Sequence, residues 1–213
     1  MIFEVLHIYQ TRWDFFLTLA WQHLCIAGSA CLIALVFGLA CGVLISERTQ
    51  AAPAVLGVTN IVYTIPSISV LGFLLPVFGI GNLTAITALI IYALLPMIHN
   101  TYTGLRSIDP AVLEAAKGMG STPLQMLLLV KLPLALPVIL TGVRTMVLMT
   151  IALTGIASFV GAGGLGVAIY RGITTNNQAM TVAGSLLIAL MAFSGDRLLA
   201  CLEHGVRRKR GEQ

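Results

Sequence analysis

Charged residues are absent from four long stretches of this chain: Phe15 to Ser46, Thr49 to Leu105, Thr145 to Tyr170 and Gly172 to Gly195. A bilayer crossing needs about 20 consecutive apolar helical residues, so these runs hold one, two, one and one crossings respectively. The longest run divides at "FGIGN", Phe78 to Asn82, where two glycines and an asparagine make a turn between apolar stretches. Spans are therefore expected at 19–45, 54–77, 83–104, 138–160 and 177–198.

Composition removes the alternative of a water-soluble fold. The chain is 58% hydrophobic and 9% charged, against the roughly 25% charged residues that soluble domains carry. The expected fold class is an all-α integral membrane protein, one domain over residues 1–213, with five transmembrane helices. Five crossings put the two ends on opposite sides. Arg48, Arg106, Lys117, Lys131 and the tail Arg207 to Arg210 fall on one side, Arg12 and Arg171 on the other. The positive-inside rule then places the N-terminus outside and the C-terminus inside.

The opening "MIFEVLHIYQTRWDFF" carries Glu4 before any basic residue and no small-x-small cleavage site, so it is expected to be retained. Trp13 and Trp21 flank the outer end of the first span as interfacial anchors. Cys25, Cys31, Cys41 and Cys201 have neither metal-ligand spacing nor extramembrane clustering, and read as buried apolar thiols. The four histidines are scattered. No metal site, cofactor or nucleic-acid partner is expected.

Gly161, Gly163 and Gly166 in "FVGAGGLGVAIY" spell G-x-G-x-x-G. A dinucleotide site would need a strand before these glycines and an acidic residue about 20 positions later. A span-length helix precedes them instead, and the first acidic residue downstream is Asp196, beyond another span. Gly161, Gly163, Gly164 and Gly166 are left as a turn at the outer mouth, serving close helix approach or gating. The P-loop Gly-Lys-Ser/Thr is absent, as are paired carboxylates or a Ser/His/Asp arrangement, so the chain is not expected to be an enzyme.

One inner segment, Arg106 to Pro137, is too ordered for a connector. Asp109-Pro110 is an N-cap followed by a residue favoured at the first helical position, and Gly118 or Gly120 supplies a stop, which predicts a helix over 110–117. Thr122-Pro123 with Gln125 forms a capping box, which predicts a second helix ending near Lys131, because Pro133 disfavours helix at Leu132. A two-turn helix is unstable alone. Val112, Ala115 and Ala116 give the first of these a small apolar face, flanked by Glu114 and Lys117, for a partner or for the lipid surface.

The same segment reads Glu114-Ala115-Ala116, Gly120, then Val130-Lys131-Leu132-Pro133. This resembles the signature Glu-Ala-Ala, three residues, Gly, nine residues, Ile-x-Leu-Pro of the permease subunits of bacterial ABC importers, with Val for Ile as the one departure. The resemblance implies a type I importer permease fold in the bacterial cytoplasmic (inner) membrane, with residues 106–137 as a cytoplasmic coupling loop. It also implies that Glu114, Ala115, Ala116, Gly120, Leu132 and Pro133 serve coupling to a partner ATPase.

The stretches "TIPSISVLGFLLPVFGIG", "LLPMIHNTYTGL", "LPLALPVILTGVRT" and "GAGGLG" are similar to permeases for glycine betaine, carnitine or choline. Tyr63 stands where such sequences often have Gln, and His99 where Arg is common. Methionine importer permeases share the five-helix plan and are the competing resemblance. The implied partners are cytoplasmic ABC ATPase subunits, a second permease copy or paralogue and an extracytoplasmic solute-binding protein. The implied mechanism is alternating access.

Pro66 lies inside the second expected span and Pro96 inside the third, as packing kinks or as breaks that line a pathway. Tyr63, Asn100 and Tyr102 lie near them and join Pro66 as pathway candidates. Ala30, Ala34, Gly38, Gly42 and Ser46 form a small-residue ridge, for packing within the subunit or between subunits. Arg144 either snorkels to the inner headgroups or lines the pathway. The basic tail reads as an anchor to anionic lipid.

Overall fold

The computed structural model describes residues 2–208. They form α1 (Ile2–Thr11), α2 (Trp13–Glu47), α3 (Ala52–Thr64), α4 (Ser67–Phe78), α5 (Asn82–Arg106), α6 (Pro110–Gly118), α7 (Pro123–Thr154), α8 (Gly166–Thr174) and α9 (Gln178–Arg208). A 3-10 turn, Ala157–Val160, follows α7. No strand occurs among the described residues. Helices α2, α5, α7 and α9 are each long and apolar enough to cross a membrane, and α3 with α4 forms a bent pair, either a broken fifth span or a re-entrant loop. The side chains of the basic tail, Arg207 to Arg210, lie outside the described residues.

Helix α5 is the centre of the bundle, between α2 and α7. Lipid supplies no hydrophobic drive between helices, so close van der Waals packing of small residues has to hold them. Ala30, Ala34, Gly38, Gly42 and Ser46 are all buried, so the ridge on α2 packs inside the subunit. A Cβ on Gly38 would stand 2.7 Å from Cβ of Met97, and one on Gly42 would stand 2.5 Å from Cβ of Thr101. An adjoining face of α5 uses the same device, since a Cβ on Gly142 of α7 would lie 2.6 Å from Cβ of Asn100.

The second expected span, 54–77, is broken rather than continuous. Helices α3 and α4 meet at 99°. Ile65 is extended (φ −74°, ψ 128°), as a residue before proline prefers, and Pro66 is the N-cap of α4 rather than an interior kink. The break frees the carbonyl of Ile65, which accepts a hydrogen bond from the Tyr92 hydroxyl of α5. Pro96, by contrast, stays inside an unbroken α5.

The fourth span also differs. In place of a short helix ending near Lys131 and a span over 138–160, α7 runs unbroken from Pro123 to Thr154. A π-helical turn, Met126–Lys131, makes this possible. It re-phases the bonding so that Pro133 falls in the first turn of the α-helical part, where a missing N–H costs little. At its far end the helix stops at Thr154, and the glycine-rich segment begins earlier than expected.

Helices α1 and α8 have no counterpart among the expected elements. The Tyr9 hydroxyl of α1 donates to the Ala183 carbonyl of α9 at 2.7 Å, and Val5 joins Phe16, Leu165 and Ala183 in one cluster. The first span begins at Trp13, not near 19, and the last reaches Arg208. Trp13 and Trp21 are exposed, as interfacial anchors require. The cysteines are free, but not buried: Cys25 and Cys201 are exposed, and Cys31 and Cys41 are partly exposed. Cys25 and Cys201 sit on outward faces of their helices, which periodicity in an all-apolar run does not reveal, whereas Cys31 and Cys41 pack against the core.

Arg144 is paired within the subunit. Its Nε donates to Oδ1 of Asp196 at 2.5 Å, and a terminal nitrogen lies 3.7 Å from Glu203. Thr141 adds a bond to Glu203 at 3.3 Å. These contacts cross-link α7 to α9, and pairing is what makes charge tolerable at depth in a membrane.

Candidate functional site

Helix α6 is built as a self-contained unit. Oδ1 of Asp109 accepts from the Ala111 N–H at 2.9 Å, and Pro110 fills the first position. At the other end Gly120 (φ +83°) closes a Schellman motif: Gly120 N–H donates to Lys117 O at 3.0 Å and Ser121 N–H to Ala116 O at 3.3 Å. The capping box follows at once, with Thr122 N–H on Gln125 Oε1 at 2.9 Å and Gln125 N–H on Thr122 Oγ1 at 3.3 Å.

The apolar face expected from Val112, Ala115 and Ala116 is divided by this geometry. Successive residues point about 100° apart on a helix, and Ala116 is buried while Ala115 is exposed. Val112, Ala115 and Met119 share the outward face, with Met119 82% exposed. Glu114 is also exposed. Leu132 packs against the cluster of Ala34, Met97 and Ile139, and Pro133 sits in the turn above it. The six residues singled out for coupling therefore separate into two groups: Glu114, Ala115 and Gly120 at the surface, and Ala116, Leu132 and Pro133 joining the loop to the bundle.

A second feature is a cavity of about 220 Å³ lined by Thr59, Asn60, Tyr63, Leu95, Pro96, His99 and Asn100. The Tyr63 hydroxyl donates to Sδ of Met149 at 3.4 Å, and Asn100 Nδ2 to the Pro96 carbonyl at 2.8 Å. Of the four pathway candidates the cavity brings together Tyr63 and Asn100. Tyr102 instead packs with the Ile45, Ala52 and Ile98 cluster, and Pro66 caps α4. Thr59, Asn60 and His99 were missed as lining residues. Their signal was present: polar or aromatic side chains at 59, 60 and 63, and again at 99 and 100 one turn after Pro96, have helical spacing. Among the described residues, no Asp, Glu, Lys or Arg lines the cavity.

The glycine segment is a clamped loop. Gly163 N–H donates to Asn82 Oδ1 at 3.0 Å, Gly164 N–H to Gln22 Oε1 at 3.2 Å, and Leu165 N–H to Nδ1 of His23 at 3.3 Å. Because Nδ1 accepts, the ring proton sits on Nε2, which donates to the Ile151 carbonyl at 3.0 Å. The neighbouring turn joins in, with Gly81 N–H on Val160 O at 2.8 Å. Gly161 (φ +75°) and Gly164 (φ +97°) hold conformations that favour glycine, and a Cβ on Gly166 would overlap the Gly155 carbonyl oxygen. Gly166→Ala is expected to destabilise the protein by about 3 kcal/mol or more, since the obstruction is backbone and cannot rotate away. Thermal unfolding in detergent measures this, and an unchanged midpoint would contradict the close approach.

Residues 34–208 match the family described as binding-protein-dependent transport system inner membrane component. The chain belongs to this family. As a member it is a multi-pass membrane permease, and its relatives agree. It is 44% identical over 193 residues to the choline transport system permease protein OpuBD of Bacillus subtilis, covering 89% of this chain and 85% of that one. It is 42% identical over 195 residues to the glycine betaine/carnitine/choline transport system permease protein OpuCD of the same organism, covering 90% and 85%. Among solved structures, the permease fold is similar to a chain of the inward-facing MetNI methionine ABC transporter. There the TM-score is 0.74, with 26% identity over 87% of this chain and 95% of that one.

Proposed function

We propose that this permease is the membrane subunit of an ATP-driven importer for choline, carnitine or glycine betaine, and that α6 is its coupling helix. The observation that carries the coupling reading is α6 itself. It is capped at both ends by its own or adjoining residues, and it leaves Val112, Ala115, Met119 and Glu114 exposed among the described residues. Such a surface fits a cleft on a cytoplasmic ATPase. The basic residues Arg48, Arg106, Lys117 and Lys131 gather at this end of the bundle, which supports an inner placement of α6, an outer N-terminus and an inner C-terminus.

The substrate reading rests on the relatives and on the chemistry of the cavity. Choline, carnitine and glycine betaine share a quaternary ammonium group, which aromatic faces attract by about 0.5 to 2 kcal/mol per contact. Tyr63 offers such a face, with Asn60, Asn100 and His99 as polar contacts and no fixed carboxylate to trap the cation. Weak, charge-free contact suits a group that passes rather than stays.

In the proposed cycle a solute-binding protein delivers the solute at the glycine-loop end. ATP binding closes a pair of partner ATPases, and the coupling helices of two permeases carry that closure into the membrane. Hydrolysis on the ATPases resets it. A second copy of this permease, or a related one, completes the pathway.

Uptake of labelled glycine betaine at high osmolarity, in cells with and without the gene, tests the reading. Loss of uptake on deletion, with competition by unlabelled choline and carnitine, is the expected result. Unchanged betaine uptake together with reduced methionine import would reject the substrate assignment and leave the coupling assignment standing.

A further inference from the structure

Helices α2 and α7 are the longest among the described residues, 35 and 32 residues. They run antiparallel and are pinned to each other near both ends by side chains. At one end, Nζ of Lys131 donates to Oε1 of Glu47 at 2.6 Å. Glu47 is the last residue of α2, and Lys131 closes the π-turn of α7. About 35 Å away along α2, the fully buried His23 donates to Ile151 of α7 and accepts from Leu165 of the glycine loop. Gln22 beside it holds Gly164. The clamped pair thus begins immediately after the Thr122 cap that follows α6, and ends on the glycine loop.

The π-turn is the weak point of this assembly. π-Helical hydrogen bonding is strained and is often found where a helix must yield. It lies between α6 and the rest of α7, so a displacement of α6 would be absorbed there unless something spans it. The Lys131 to Glu47 ion pair limits that loss by anchoring the downstream end of the π-turn to a second, uninterrupted helix, so that what passes the turn reaches α2 as well as α7. A half-exposed ion pair contributes only about 0 to 1 kcal/mol to folding, so its removal leaves the fold in place.

We propose that Glu47 and Lys131 are positioning residues that brace the π-turn, so that movement of α6 is delivered to α2 and α7 together and reaches the glycine loop through His23. This rests on α6 being the coupling helix. The inference is a chain of physical contacts joining two sites, and it requires a coupling measurement rather than a stability measurement.

The test uses the complete transporter in proteoliposomes, the permease with its ATPase and binding protein, reading solute uptake and ATP hydrolysis together. Glu47→Lys, Lys131→Glu and the isosteric Glu47→Gln are compared with the exchange E47K/K131E. Each single variant is expected to lower uptake per ATP hydrolysed by about five-fold or more, with an unchanged unfolding midpoint, and the exchange is expected to restore it. Single variants that keep the wild-type ratio would overturn the inference, whether or not less folded protein is recovered. An exchange variant as impaired as the singles would overturn it too. A wild-type complex that hydrolyses ATP without importing any solute would defeat the transport reading itself, which separates the two failures.

Discussion

Glu114→Lys and Gly120→Val are each expected to abolish solute uptake while the protein accumulates in the membrane at wild-type levels. Glu114 is exposed on α6, so reversing its charge costs the fold almost nothing and alters only what a partner meets. Gly120 acts through the backbone. At φ +83° it closes the Schellman motif, and a Cβ there would meet no atom of this chain within 4 Å. Valine would carry a left-handed strain of about 1–2 kcal/mol. That cost falls on a nine-residue helix with little stability of its own, so the end of α6 would unwind. Gly120→Asn, which tolerates the left-handed region, should retain much of the uptake. Immunoblotting of membranes alongside uptake measures all three. Normal transport by Glu114→Lys or Gly120→Val at normal abundance would reject α6 as the coupling helix.

Gly42→Leu has the largest expected effect on folding. The added Cβ alone would stand 2.5 Å from Cβ of Thr101 and 3.1 Å from the Ile98 carbonyl oxygen, so α2 would have to lift away from α5. In lipid no hydrophobic drive would bring the two helices back together at the wider spacing. Overpacking a core commonly costs about 1–3 kcal/mol, and displacement of a whole span exceeds that. No monodisperse permease should be recovered in detergent. Gly28→Leu is the control on the same helix, because nothing lies within 4 Å of a Cβ at that position. If the two variants behave alike, the ridge does not seat α2 on α5.

What was legible in the sequence was whatever the solvent or the nearest neighbours dictate. Charge-free runs had to be spans because a bilayer excludes charge, and "FGIGN" had to be a turn. Asp109, Thr122 with Gln125, and the glycine at 120 act within a few residues of themselves, and all appear as local chemistry requires. The prolines were not legible in that way. Pro66 breaks its span and Pro96 does not, and Pro133 passes because of a π-turn. The outcome depends on whether a distant group receives the backbone polar atoms set free, as Tyr92 does for Ile65.

The candidate site divides in the same manner. The residue types of α6 were legible, but the separation of Ala115 from Ala116 required the helix to be seated on the bundle. Thr59, Asn60 and His99 join Tyr63 and Asn100 only because α3 and α5 lie side by side. His23 looked like a scattered histidine, since its partners Ile151 and Leu165 lie 128 and 142 residues away. Arg144 likewise waited for α9 to bring Asp196 and Glu203 beside it. Sequence alone determined which segments are apolar enough to enter the membrane and where α6 begins and ends, because solvent and chain neighbours act at those positions. Tertiary structure alone decided which polar groups meet, because a buried hydrogen bond or ion pair needs two atoms within about 3 Å whatever their separation along the chain.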